Sequence, residues 1–430
     1  MAATDTVVLS DYSNFLKEFY IPVSKMAQAR LNPFLDESVV RFDHESIEGQ
    51  YGYWPVEFPS GAGVGSRAEN GANPVPDAGE YQRGRVSITT HLGVLQISHQ
   101  LMKQSEGSRG AFNPAFARAT KTVMDTWLRN LNRMMLGNAD GKLAEVDSGS
   151  STTSIVVDNA WGIDNTAAGS NGNGLLFLFP GSKINFFTGS TLRSAEGAGG
   201  DGLVTISSIN TLGSGDTSGI ITIDASLSAI AEGDYVYVAG NNSSGTIYEA
   251  DGIRKMISDS DDNYGGIDTG DVPDWHSWVK YGSSSGTVEP LTRPRMNGPW
   301  NDIVQKSGGS PNLLYMGPDT LETYLELADS MQMTNDQKSL DAAGNWQGPT
   351  FRGAVCLSDP IYPETRIEYL DTKQLVVFQV EPADWLPGDV GVLQKVAGYI
   401  NWTAEYVWLY NFATYDRTKL GSLRDIELVT

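Results

Sequence analysis

The stretch RVSITTHLGVLQISHQLM, residues 85–102, alternates apolar and polar residues over a length well beyond an average strand. Side chains of a strand alternate faces, so such a run must bury one side of a ribbon. Val86, Ile88, Leu92 and Val94 share one parity, whereas Leu95, Ile97 and Leu101 share the other. The core-facing parity is therefore expected to switch near Gly93, and a glycine at such a slip predicts a bulge or bend. His91 and His99, two of the four histidines, lie in this run. Eight residues of extended strand separate them by about 26 Å, too far to hold one metal ion between them. The slip would send His91 to the polar side and His99 to the apolar side. Both read as separate structural histidines.

The preceding segment, 51–84, is rich in Gly and Pro and has little core potential between Phe58 and Tyr81. Its GAGVG at 61–65 is not a dinucleotide fingerprint, because Gly71, Pro74 and Pro76 leave no helix after it. Residues 50–100 thus read as one long two-stranded projection. Downstream, Asn113 fits an N-cap and Pro114 the first helical position, with Gly137 as the stop. Phe116, Thr120, Val123, Trp127, Leu131 and Met134 form one stripe of this helix. Arg118, Lys121, Asp125, Arg129 and Arg133 lie mainly off it, a positive face that is either solvated or set against an acidic neighbour.

From 139 to 240 Gly, Ser, Thr and Asn dominate, punctuated by short strand-like runs such as KINFF, GIITIDA and DYVYVAG. This spacing predicts a small barrel or sandwich at 172–241, self-contained and dispensable for the rest. Residues 290–400 read as α/β. PNLLYMG is a buried strand, PDTLETYLELADSM an amphipathic helix, and GAVCLSD, TRIEYLD and QLVVFQV are further strands.

Composition narrows the function classes. Lys and Arg number 30 and Asp and Glu 52, a net charge of −22, which argues against a surface that wraps nucleic acid. It does not argue against a wall that faces DNA without gripping it. The single cysteine, Cys356, sits in the apolar run AVCL and reads as a core thiol, in keeping with a reducing cytoplasm. The first fifteen residues do not read as a signal peptide, and the longest apolar run, LLFLF, is too short to span a bilayer. The acidic DSDDN fails the calcium-loop pattern, having Tyr264 and Gly270 where Gly and Glu are needed. Trp275, His276 and Trp278 read as packing. There is no HExxH, GxSxG, Walker loop or CxxC. Glu364, Glu368 and Asp371 are neighbours in number only. No enzymatic activity, cofactor or metal is expected.

The order of parts resembles the major capsid proteins of tailed bacteriophages, the Hong Kong 97 type. The likeness lies in an arm, a Gly/Pro-tipped excursion, a strand running into a long helix, a β region, an α/β part and a returning β segment. The segment 252–278 carries it further through Gly252, Ile253, Ile257, Tyr264, Gly266, Ile267, Asp268, Trp275 and Trp278, as does PNLLYMGPDTLETYL. The resemblance implies an α+β capsid fold. Its parts would be an N-terminal arm (1–50), an E-loop (51–100), a peripheral domain (101–171, spine helix 113–137, continued at 242–289), an inserted β domain (172–241), an axial domain (290–400) and a C-terminal return segment (401–430). It implies a structural protein of the virion, assembled in the host cytoplasm as pentamers and hexamers around double-stranded DNA that it does not read. Scaffolding, portal and decoration proteins are the implied partners, with no membrane. Contacts between copies would fall on Trp54, Arg67, Glu69, Arg83 and Arg85 of the excursion and on Arg118, Arg129 and Arg133 of the helix. No lysine lies between Lys25 and Lys103, so covalent crosslinking through the excursion is not expected. The alternatives are a β-rich glycan-binding protein or hydrolase, and a cellular nanocompartment shell of the same fold.

Overall fold

The structure is a computed structural model. It describes residues 43–428 except 59–63, 70, 74–79, 102–108, 164–173, 194, 197–201, 212–218, 228–229, 244, 260–262, 283–286, 331–337, 340–346 and 390. Most of the expected N-terminal arm lies outside the described residues.

A 14-residue return strand, Asn401–Thr414, organises the first sheet. Along one edge it pairs antiparallel with Thr89–Ser98, from Tyr410 opposite Thr89 to Asn401 opposite Ser98, without a break. Along the other it pairs with Leu375–Trp385, which in turn takes the short segment Asp43–Ser46 in parallel. The expected parity switch at Gly93 does not occur. Residues 91, 93, 95 and 97 are all buried, while Leu92 and Val94 are each 49% exposed. The switch falls at Ile88 instead, where the chain changes partners. Residues Glu80–Ser87 pair with Tyr51–Phe58, and from Thr89 onward the partner is the return strand. The long ribbon is therefore two strands that serve two sheets, and only 51–58 with 80–87 forms a free-standing hairpin.

Gly93 has a different role. A Cβ there would lie 3.1 Å from Trp127 Cδ1, so the glycine lets the long helix settle on the strand. That helix runs Arg109–Leu136, starting one turn before Asn113. Trp127, Leu131 and Met134 of the stripe are buried, as are Leu128 and Met135 beside it. The indole of Trp127 meets Tyr406 edge-on at 5.1 Å and the His91 ring at 4.7 Å. His91 is thus on the core side, opposite to expectation.

Six strands close into a ring. Val204–Thr211 pairs with Gly219–Ile223, then follow Ser154–Asp158, Lys142–Val146, Tyr235–Val238 and Lys183–Thr188, which returns to Val204. Two of these strands precede residue 172, so the barrel starts earlier than its composition suggested. Nor is it self-contained. Its inward Leu143, Ile155, Phe186, Val204 and Ile221 belong to one continuous apolar cluster with Trp127, Leu131 and Met134 of the helix.

The second sheet has six strands in the order Trp278–Lys280, Gly421–Leu423, Ile367–Leu370, Leu313–Met316, Ala354–Ser358, Thr350–Phe351. Leu313–Met316 is buried throughout, as an apolar run flanked by strands on both sides should be. The helix Pro318–Ser330 follows it, and Tyr324 packs with Leu314, Met316, Phe351 and Cys356 in a second core. Cys356 is buried, and burial pushes its thiol up to about 12. Sheet membership cuts across the expected boundaries. Leu375–Trp385 leaves the 290–400 block for the first sheet, while Trp278–Lys280 and Gly421–Leu423 join the second.

The described residues of 252–278 pack mainly into the first core, with Trp278 against the second. Ile253, Met256, Ile257, Tyr264, Ile267 and Trp275 are all buried. Trp275 Nε1 donates to Tyr264 O at 3.1 Å, and the Tyr264 hydroxyl accepts from Thr414 N at 3.2 Å. Gly265 and Gly266 adopt φ of 67° and 75°, which suits glycine, and lie against Trp54 and Arg85 of the hairpin.

Candidate functional site

The hairpin has two unlike faces. Inward, Gly52, Trp54, Val56, Gly84 and Val86 are buried. Trp54 stacks on Phe378 at 5.6 Å and donates from Nε1 to Tyr415 O at 3.1 Å. Gly84 lies directly under that indole: a Cβ there would stand 2.3 Å from Trp54 Cε2. Outward, Tyr53 is 50% and Tyr81 63% exposed. Strand pairing puts Tyr53 opposite Arg85, Pro55 opposite Arg83 and Glu57 opposite Tyr81. The guanidiniums reach diagonally. Arg83 lies 5.3 Å from the Tyr53 ring centre and Arg85 5.6 Å from that of Tyr51. Tyr81 donates to Glu57 Oε1 at 3.1 Å, and that carboxylate raises the phenol above its ordinary range. The result is a ladder of rings and guanidiniums, composition typical of protein interfaces and presented on a preset strand geometry. The described tip residues 64–69 and 71–73, Arg67 and Glu69 among them, are all exposed.

The eight expected contact residues therefore divide. Arg67, Glu69, Arg83, Arg85 and Arg129 are exposed. Arg129 lies 4.4 Å from the centre of the Phe179 ring and so links helix to barrel. Trp54 is used inside its own chain. Arg133, 2% exposed, forms a two-pronged ion pair with Glu249, and Asn241 Nδ2 also donates to Glu249 Oε1 at 2.7 Å. The side chain of Arg118 lies outside the described residues. Sequence reading missed Tyr51, Tyr53 and Tyr81, although the alternation in YGYWPVEF already places both tyrosines opposite the buried Trp54 face.

A cleft of about 590 Å³ opens between Thr89–Ser98, the long helix and the barrel, lined by His91, Val94, Val123, Thr126, Phe179 and Lys183 among others. His91 Nε2 lies 3.2 Å from Trp127 O. Burial, against the pull of that carbonyl, lowers its pKa to about 4, so the ring is neutral at pH 7 and fixed as a donor to the helix backbone. His99 Nδ1 accepts from Trp402 Nε1 at 3.0 Å. The carboxylates near 364 are likewise committed to structure. Glu364 accepts from Thr320 N and Oγ1, both at 3.1 Å, and burial pushes its carboxyl up to about 7. Glu368 accepts from the Tyr362 hydroxyl at 2.7 Å, and Asp371 caps the turn at Lys373. Among the described residues no group of three His, Cys, Asp or Glu side chains is placed to hold a metal ion.

No protein-family model matches the sequence, and no curated protein does. Solved structures do. The chain is similar to one from the cyanophage A-1(L) capsid asymmetric unit, at 12% identity and a TM-score of 0.51, over 92% of this chain and 93% of that one. Looser matches are the encapsulin of the holo-SrpI complex from Synechococcus elongatus (8% identity, TM-score 0.45, 99% and 97% covered) and the capsid of a native GTA particle (9%, 0.42, 98% and 94%). With the excursion hairpin, the long helix, most of the second sheet and then the return strand in chain order, the chain has the fold of the phage major capsid proteins, the Hong Kong 97 type that its sequence layout resembles.

Proposed function

We propose that this chain is the major structural protein of a closed icosahedral shell, built from many copies of itself, that encloses double-stranded phage DNA. The observation that carries the reading is the outward face of the hairpin. Tyr51, Tyr53, Tyr81, Arg83 and Arg85 form an ordered, partly apolar ladder on a two-stranded element, and such an element is marginal unless something covers it. A second copy would supply that cover, with Arg67 and Glu69 at the exposed tip and Arg129 on the helix as further contacts. The capsid-type fold supports the same reading. With a charge of −22, the wall would confine DNA rather than grip it, and scaffolding, portal and decoration proteins would be partners during assembly in the host cytoplasm. The ring of strands at 142–238 would be an elaboration inserted into the capsid fold. The role is structural, not catalytic.

Electron microscopy of the purified chain tests this, together with nuclease digestion of particles made in cells. Closed shells holding nuclease-protected DNA are expected. Stable monomers at high concentration would overturn the shell, and closed shells that never protect DNA would overturn the cargo.

A further inference from the structure

Three guanidiniums converge where the two cores meet. Arg254 comes from the short helix Ile253–Met256, Arg366 directly precedes the strand Ile367–Leu370, and Arg424 directly follows Gly421–Leu423. The antiparallel pairing of Ile367 with Leu423 sets Arg366 and Arg424 side by side at the strand ends. Arg366 and Arg424 both lower the proton affinity of Arg254, and Arg424 also lowers that of Arg366. Arg424 is satisfied. Its Nη2 donates to Ile257 O at 3.0 Å, Nη1 to the Tyr281 hydroxyl at 3.2 Å and Nε to Ser422 Oγ at 3.3 Å. The other two are not. Arg254 Nε and Nη1 and Arg366 Nε are buried with no hydrogen-bond partner, although both side chains keep a partial opening to solvent. Arg254 leans on Trp161, with Cζ 5.6 Å from the ring centre. Burial, and then the charge of Arg366, lowers Arg254 to about 10, which leaves it fully charged at neutral pH.

Carboxylates are near but do not close the site. Asp140, Glu368 and Asp425 act on these guanidiniums electrostatically, yet none forms an ion pair with Arg254 or Arg366 among the described residues. Glu368 is fully buried; its Oε1 accepts from the Tyr362 hydroxyl, whereas Oε2 has no partner among the described residues. Charged donors left empty in a buried cluster are strongly unfavourable. Water can accept their hydrogen bonds but cannot offset the repulsion between like charges. A small anion does both, and the planar guanidinium fork matches tetrahedral oxyanions.

We propose that Arg254 and Arg366, flanked by Arg424, bind a small free oxyanion of the phosphate class that clamps the second sheet to the helix-and-barrel core. The unpartnered donor atoms are themselves buried, which suits a small free ion rather than the backbone of a duplex. The site is independent of the shell reading, since all three arginines belong to one chain.

Thermal melts of the unassembled 430-residue chain test the proposal, with inorganic phosphate against sodium chloride at matched ionic strength. A saturable, phosphate-specific rise in Tm of about 2 °C is expected. Arg366→Gln and Arg254→Gln should each abolish that rise while melting no lower than the parent in chloride, because each removes a repelling charge. A short DNA duplex at equal phosphate concentration should give no rise. The proposal is overturned by a parent that responds to phosphate no more than to chloride, by variants that keep the response, or by a duplex that reproduces it. Should both variants fail to fold, a structure of the parent in phosphate decides: density bridging Arg254 and Arg366 supports the site, and its absence there refutes it.

Discussion

The hairpin at 51–87 and the ring of strands at 142–238 begin from similar sequence, both rich in turn residues and short of long apolar runs. They meet opposite ends. In the ring every strand has two partners, and its interior runs into the apolar cluster around Trp127. In the hairpin two strands pair only with each other, one face rests on Phe378 and Tyr415, and the other carries exposed tyrosines and arginines. What separates them is whether the backbone edges and side-chain faces are used up within the chain. Among the described residues the ring strands have both backbone edges paired, whereas the hairpin leaves most of one face open.

The largest expected effect lies on the ring. Phe186 is fully buried in the shared cluster, and Phe186→Ala should destabilise the chain by about 3–5 kcal/mol. Denaturant unfolding followed by tryptophan fluorescence and by circular dichroism should move together. A separate early transition for the β signal alone would show that the ring is an independent module after all.

The next effect lies between the two regions, at His91, where the strand Thr89–Ser98 packs on the long helix. Its pKa is about 4 when folded and ordinarily 6.5. The unfolded chain therefore takes up a proton that the folded chain refuses, so stability is complete above pH 6.5 and falls as the pH drops toward 4, by on the order of 3 kcal/mol. Chemical unfolding at a series of pH values should show that loss in the parent, and His91→Gln should flatten it. An unchanged slope in the variant would assign the loss to other groups.

Gly84→Ala forces a Cβ into the Trp54 indole, which is itself buried, and should destabilise by about 1–3 kcal/mol. The readout is Tm together with the emission wavelength of the displaced indole. No change in either would mean that the hairpin's inner face is looser than its packing suggests. Smallest in stability, within about 0.5 kcal/mol, are Tyr53→Ser and Arg83→Ser on the outer face. These two should nevertheless stop shell formation as judged by sedimentation and microscopy. Variants that assemble normally would remove the ladder from the interface.

Much of this was legible in the residues themselves. The helical stripe through Trp127, Leu131 and Met134, the buried run LLYM and the core character of Cys356 follow from local periodicity and polarity, which sequence displays directly. The order of these parts also sufficed for the resemblance to a capsid fold. The candidate contact residues were less legible. Arg83 and Arg85 were expected on the hairpin surface, yet Arg133 shares their residue type and lies buried against Glu249, a partner 116 positions away.

What the sequence by itself determined is therefore which face of each element is apolar and where the chain must turn. Only the tertiary structure decided which elements share an edge: that Thr89–Ser98 leaves the hairpin for the return strand, that Lys142–Val146 and Ser154–Asp158 complete the ring, and that Gly421–Leu423 crosses to the second sheet. The physical reason is the two-residue period of a strand. It fixes the direction of every side chain but is the same for every partner, so the choice of partner rests on non-local packing, such as a glycine at 93 that fits beneath one particular tryptophan.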